Sequence, residues 1–305
     1  MASGSLELLA PGKVNLGLRI VGRRADGYHL LESVFLPIDL ADTLRISLRP
    51  EPGVALELSG ASEGVPADGR NLAARAAEAF LAAAGSEAGV ALALEKRIPA
   101  PGGLGGGSSD AAAVLRGLAA LLPGRVAPER LRALALALGA DVPFFLAPRP
   151  ALVTGIGEAS EPVALPRFTL LLAHPGVPLA TSAVYAQYDA AAASLTPRRP
   201  GPSLRALLAL REEASALQSL VTNDLEPAAT ILCPTVAELR KEIEATGASA
   251  VGMSGSGPTL FGVFPGTHAA DAARRRIRRR AGLRTWVVET APSDARAPGP
   301  GPAGA

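Results

Sequence analysis

The twelve residues PAPGGLGGGSSD, Pro99 to Asp110, constrain this chain more than any other segment. Gly102, Gly103, Gly105, Gly106 and Gly107 remove Cβ atoms where a backbone must approach a partner closely. They also permit positive φ angles that aim successive N–H groups at one point. A helix is predicted to follow over about Ser109 to Leu122. Ser108 and Ser109 therefore place hydroxyls at the helix end that carries unpaired N–H groups and positive dipole charge. That combination is a phosphate cradle. No Lys-Ser/Thr pair closes it as in a P-loop, and the acidic ribose contact of a dinucleotide fold is missing. A flexible surface loop ending in a helix cap is the competing reading. The apolar Leu104 and the direct join to a helix favour the cradle.

Glycine and proline, 33 and 27 of 305 residues, would suit a disordered chain if they were concentrated in one block. With 48% hydrophobic residues and a net charge of +2, a mainly disordered chain is excluded, and the length suits one large or two medium domains. Aromatics are only 4%, so Ala, Leu and Val must fill the interior. The single cysteine, Cys233, cannot form an internal disulfide, and no Cys/His cluster has zinc-ligand spacing, which suits the cytoplasm. No export signal or membrane span is read. The 30 basic residues nearly balance 28 acidic ones, so charge alone argues for no nucleic-acid partner. Nearly all the basic residues are Arg; the lysines are Lys13, Lys96 and Lys241, each a place where a compact ammonium could be required.

The chain opens β-rich, with strands predicted at Leu6 to Ile20 (through a turn at Pro11-Gly12), Leu30 to Ile38, Thr43 to Leu48 and Val54 to Leu58. Helices follow at Asn71 to Ala84, after the glycine loop, and at Pro128 to Leu138, with a strand at Val90 to Leu94. A domain boundary is placed near Pro162 to Arg167, giving domains 1–165 and 166–290. The second half holds helices at Thr181 to Ala192, Leu204 to Leu210, Thr235 to Ala245 and Ala269 to Ala281, with strands at Phe168 to Ala173, Ala250 to Met253, Thr259 to Phe264 and Thr285 to Glu289. A Pro/Arg-rich loop spans Thr196 to Pro202, and the tail 291–305 is read as disordered. The class is α+β.

Two further segments could carry chemistry. In APGKVN, Ala10 to Asn15, an extended chain puts Lys13 and Asn15 on one side, and GRRADGYHLLES, Gly22 to Ser33, sets Tyr28 and His29 after an Asp26-Gly27 turn. The bland alternatives are a strand-edge charge, a hairpin turn and a partly buried ring. In GADVPFFL, Gly139 to Leu146, Asp141 is either a helix N-cap or a base near the cradle, suited to taking a proton from an alcohol during phosphoryl transfer.

The order APGKVN, PAPGGLGGGSSD, then GMSGSGPTLFGVF at Gly252 to Phe264 resembles the three motifs of the GHMP small-molecule kinases. GRRADGYHLLES, GADVPFFL and the VTNDLE at Val221 to Glu226 are similar to the branch acting on a cytidine diphosphate-linked methylerythritol, up to about Glu289. Gly12 and Pro101 depart from the usual Ala and Gly. The resemblance implies a two-domain α+β GHMP kinase fold with its active site in the interdomain cleft. It also implies ATP-dependent phosphorylation of the substrate's 2-hydroxyl in non-mevalonate isoprenoid biosynthesis. It makes Asp141 the base and Lys13 the stabiliser of charge on the attacking oxygen and the transferred phosphoryl. Asn15 would bind the methylerythritol, Tyr28 and Tyr185 the two faces of cytosine, and His29 its edge. ATP would lie along Pro99, Ala100, Pro101, Gly102, Gly103, Leu104, Gly105, Gly106, Gly107, Ser108 and Ser109, with Asn71, Leu72 and Lys96 near the adenosine. Mg2+ is expected from nucleotide chemistry, Ser109 and Asp110 being candidates to hold it. A mevalonate or homoserine kinase is the nearest alternative. The other is a non-catalytic nucleotide- or nucleic-acid-binding protein using the arginines of Arg274 to Arg280, which read more simply as a solvated helix face. Oligomeric state is left open.

Overall fold

Two long strands, β1 (Ser5–Arg23) and β2 (His29–Arg49), form an antiparallel ribbon at the centre of the first sheet. Their apolar positions are buried almost without break from Val14 to Leu18 and from Leu31 to Ile38, so both faces of the ribbon are covered there. The computed structural model describes residues 4–192, 203–209 and 214–291. The expected loop from Thr196 to Pro202 and the tail beyond residue 291 lie outside them.

After the ribbon come β3 (Val54–Gly60), α1 (Leu72–Ala84), β4 (Gly89–Lys96), α2 (Gly106–Leu121), α3 (Pro128–Leu138), α4 (Val142–Phe145), β5 (Ala151–Gly155) and β6 (Ala159–Pro162). The chain then builds a second sheet from β7 (Thr169–His174). It continues through α5 (Thr181–Ala192), α6 (Leu204–Ala209), α7 (Ala214–Leu220), β8 (Thr222–Asn223), α8 (Glu226–Leu232), α9 (Thr235–Glu244), β9 (Ala250–Met253), β10 (Leu260–Phe264), α10 (Thr267–Arg276) and β11 (Arg284–Glu289). The first sheet runs β3-β4-β2-β1-β8, with β5 on β2 and β6 on β5; the second runs β11-β7-β10-β9. β8 is the exception to a clean division, since Thr222 and Asn223 return to pair with Gly17 and Leu18 of β1.

Alanine does much of the filling, as the shortage of aromatics requires. Ala73, Ala76 and Ala77 of α1 and Ala111, Ala112 and Ala113 of α2 are fully buried against the sheet around Phe80. A separate apolar seam joins the two sheets, with Val14, Leu16 and Leu104 packed among Leu170, Leu172 and Phe261.

Four sequence expectations need correction. Pro11-Gly12 is not a turn: β1 continues through it with a register shift, because Pro11 and Lys13 both pair with β2 and Gly12 packs beside Ile38. Leu30 to Ile38 and Thr43 to Leu48 are one strand, because Asp42, which breaks the apolar pattern, is fully buried and paired. Helix α2 begins at Gly106, three residues early. Helix α10 stops at Arg276, with Ile277 extended and buried, so Arg278, Arg279 and Arg280 are not on it. Glu242 of α9 binds the Arg278 N–H at 3.2 Å and the Arg280 guanidinium, while Arg276 donates to Ala245 O at 2.9 Å. Arg274, Arg275 and Arg276 are exposed on the helix, as a solvated face requires, while the contacts of Arg276, Arg278 and Arg280 tie the chain to α9 and its end.

Lys96, at the end of β4, is 1% exposed at its side chain and pairs with the buried Asp42 of β2 and, at 2.6 Å, with Asp110 of α2. Asp42 also accepts from the Ile98 N–H at 2.9 Å and from the Arg97 N–H. One ammonium thus joins three elements beneath the glycine loop. Burial works against the Lys96 charge, but Asp110 and Asp42 outweigh it and raise its pKa. Burial pushes the Asp110 carboxyl up to about 7, with Lys96 opposing. Replacing Lys96 by Met strands two buried carboxylates and is expected to lower stability by about 3–5 kcal/mol. Because the folded protein holds the Asp110 proton to a higher pH than the unfolded chain does, this group makes stability fall as pH rises from about 4 to about 7. Denaturant titrations across that range should show a shallower decline in Asp110→Asn.

Candidate active site

Lys13 and Asn15 do lie on one side of β1, and the Lys13 ammonium donates to Asn15 Oδ1. Asn15 is held in turn: its amide donates to Ser33 Oγ at 2.8 Å, and Ser33 donates to Gly17 O at 2.6 Å. Lys13 Nζ stands 3.6 Å from Asp141 Oδ2 and 4.5 Å from the centre of the Phe35 ring. Burial lowers the Lys13 pKa, and the Asp141 charge only partly restores it. Asp141 sits at the start of α4 without capping it by its side chain, and it is 31% exposed. The carboxylate is therefore free to meet a substrate, while the lysine is fixed behind it.

The glycine loop closes against this pair. Lys13 N donates to Leu104 O at 2.9 Å, and a Cβ on Gly105 would fall 2.8 Å from the Phe145 ring. Gly103 and Gly105 have φ of 72° and 71°, the left-handed conformation that side chains disfavour. Gly103 also touches the second sheet, where its Cβ would lie 2.1 Å from Ser254 O in the turn between β9 and β10. Ser254 Oγ donates to Gly103 O at 2.8 Å and accepts from Asn15 N at 3.1 Å. Asn223 holds that turn from β8 by donating to Met253 O and Gly255 O, both at 2.8 Å. His174 of β7 grips the loop's entry. Its Nδ1 accepts from Gly176 N, so Nε2 carries the hydrogen and donates to Pro101 O at 3.0 Å, while burial lowers its pKa. The glycines thus serve contact between two loops.

The other end of the site is aromatic. The hairpin turn at Asp26-Gly27 leaves Tyr28 61% exposed and sets His29 against α5. There His29 packs on Tyr185 at 4.9 Å between ring centres and bonds Asp189 Oδ1 at 2.7 Å. Burial, with a smaller push from the Asp141 charge, raises the Tyr185 phenol to about 12. Asn71 and Leu72 start α1, and Leu72 lies 3.6 Å from the Cβ position of Gly107. Asn71 spends its amide on Ala73 N and Pro66 O, as Lys96 spends its ammonium on two carboxylates. Both stand beside the loop as supports with their polar atoms occupied. Ser109 Oγ and Asp110 Oδ1 are buried without a partner at the start of α2. Among the described residues, no three His, Cys, Asp or Glu side chains group as a metal site.

Sequence reasoning missed Ser33, Ser254, Asn223, His174 and Asp189 as site residues. Ser33, Ser254 and Asn223 lay inside motifs already noted, and Asp189 follows Tyr185 by one helical turn; His174 carried no local signal.

A two-sheet α+β fold, a glycine loop opening a helix and a lysine–aspartate pair beside it define the GHMP kinase class. The models of the GHMP kinases N terminal domain and the GHMP kinases C terminal match residues 71–148 and 202–282. A 4-diphosphocytidyl-2-C-methyl-D-erythritol kinase of Thermus thermophilus is 43% identical over 98% of this chain and 100% of its own length. A crystal structure of 4-(cytidine 5'-diphospho)-2C-methyl-D-erythritol kinase superposes with TM-score 0.76 at 42% identity, covering 93% of this chain and 99% of the other. The mevalonate kinase of L. major, at 16% identity and TM-score 0.73 over 96% and 98%, shares the fold alone. The chain belongs to the family of the 4-diphosphocytidyl-2-C-methyl-D-erythritol kinases.

Two glycine variants separate close approach from mere flexibility. Gly103→Ala is expected to lower stability by about 1–3 kcal/mol, since it meets both a backbone oxygen and a positive φ. Gly107→Ala, in the first turn of α2 with Leu72 at an ordinary contact distance of 3.6 Å, should be neutral or stabilising by about 0.5–1 kcal/mol. Thermal unfolding of the two proteins reads the contrast.

Proposed function

We propose that the chain transfers the γ-phosphoryl of ATP to the 2-hydroxyl of 4-diphosphocytidyl-2-C-methyl-D-erythritol, in the cleft between residues 1–165 and 166–290. The observation that carries the reading is the Lys13–Asp141 pair at the mouth of the glycine loop, in a chain whose relatives bear that enzyme's name. Asp141 takes the hydroxyl proton as the oxygen attacks phosphorus. Lys13 faces the oxygen and the transferred group, where its charge opposes the negative charge that develops. A tertiary alcohol is a weak nucleophile, so orientation by Asn15 and by the rigid loop does much of the work.

The triphosphate lies along Pro99 to Ser109, where backbone N–H groups and the start of α2 meet it, with Leu72 on its flank. Asn71 and Lys96 act from beneath by holding α1 and α2. Ser109 Oγ and Asp110 Oδ1, two buried oxygens without partners, suit Mg2+, which would otherwise keep waters and phosphate oxygens as ligands. When bound, the ion neutralises phosphate charge. Tyr28, His29 and Tyr185 form the cytidine end. The work belongs in the cytoplasm, in non-mevalonate isoprenoid biosynthesis, with small molecules as its partners.

ADP release should follow addition of the diphosphocytidyl substrate and not of mevalonate or homoserine; equal turnover of mevalonate would overturn the assignment. Asp141→Asn is expected to lower kcat by about 10²- to 10⁴-fold with ATP binding retained, read by single turnover and by nucleotide titration. Since Lys13 loses its proton below the pH of a free lysine, kcat/KM should decline on the alkaline side. In Lys13→Arg any residual activity should lose that alkaline limb, because a guanidinium stays charged.

A further inference from the structure

Tyr185, Tyr188 and Asp189 share one face of α5 at helical spacing, and all three touch His29. The Tyr185 ring is tilted by 31° to the imidazole, and Tyr188 meets it edge-on at 83° and 5.9 Å. The two rings fix the plane of His29, and Asp189 fixes its hydrogens. A carboxylate only accepts, so the 2.7 Å contact assigns a hydrogen to His29 Nε2. In the neutral ring Nδ1 is then an acceptor. Asp189 is itself braced, since Arg23 Nη1 lies 3.4 Å from its second oxygen and Arg23 Nε donates to Gly27 O at 3.1 Å. The hairpin carrying Tyr28 and His29 is therefore locked to α5 through one carboxylate.

We propose that Asp189 is a positioning residue for base recognition, holding His29 in the Nε2–H form so that Nδ1 selects a base bearing an exocyclic amine, cytosine over uracil. The proposal rests on the cytidine reading above and names the group that enforces it. Cytosine offers N4–H donors to this acceptor, whereas uracil presents an oxygen there and leaves two acceptors facing each other.

The chain has three histidines, so imidazole nitrogen spectra of the labelled protein at mildly alkaline pH are tractable, with His29→Gln identifying the signal. Wild type should show His29 protonated at Nε2, Asp189→Asn should keep that form through its amide oxygen, and Asp189→Leu should lose it. In competition binding with CDP and UDP, Asp189→Leu should reduce the CDP preference about ten-fold by weakening CDP, with kcat at saturating substrate within about two-fold of wild type. An unchanged tautomer, or an unchanged CDP preference, in Asp189→Leu overturns the proposal while the cytidine reading stands. Equal binding of CDP and UDP by wild type overturns both.

Discussion

The site depends on one close approach between the backbones of two loops, one leaving the first sheet and one joining two strands of the second. Gly103 and Ser254 lie so near that a Cβ on the glycine would come within 2.1 Å of the serine carbonyl. That contact lets the Ser254 hydroxyl bond Gly103 O and meet Asn15 N, so the glycine loop, the turn after β9 and strand β1 form one hydrogen-bonded unit. On the proposed reading, a loop held this way presents N–H groups to phosphate without reordering when the ligand arrives, which is how preorganised dipoles contribute most to catalysis.

The two buried lysines of the site region show how environment divides one residue type between two tasks. Lys96 has two carboxylates, its charge is favoured, and it fastens β2, β4 and α2. Lys13 has one carboxylate at 3.6 Å, a neutral amide and an aromatic ring, so burial prevails and its proton is held less firmly. On the proposed reading, the cation left under-compensated beside the glycine loop is the one drawn to the charge of a transferring phosphoryl group; the fully paired one is not.

Much of this was legible from residue order. Periodicity found most of the helices, including Thr181–Ala192 to the residue, because apolar spacing and end signals coincide there. It failed where long-range pairing overrides local pattern. Asp42 looks like a strand break until Lys96 and two backbone N–H groups are found around it, and Gly106 and Gly107 look like loop until the neighbouring α1 and Ile98 enclose them. Arg278 to Arg280 continued a helical charge pattern, yet the chain leaves the helix there and Glu242 binds Arg278 and Arg280.

The sequence by itself determined the chemistry on offer: a glycine loop joined to a helix, a rare lysine two residues from an asparagine, an aspartate among apolar residues and an aromatic pair after a tight turn. Each is a local signal, written within a dozen residues by backbone sterics or residue scarcity. Only the tertiary structure decided which groups meet. Lys13 and Asp141 are 128 positions apart, and His29 and Asp189 are 160 apart. Their contacts arise from the β1–β2 ribbon, the seam between two sheets and the docking of α5, none of which a short stretch of sequence can encode.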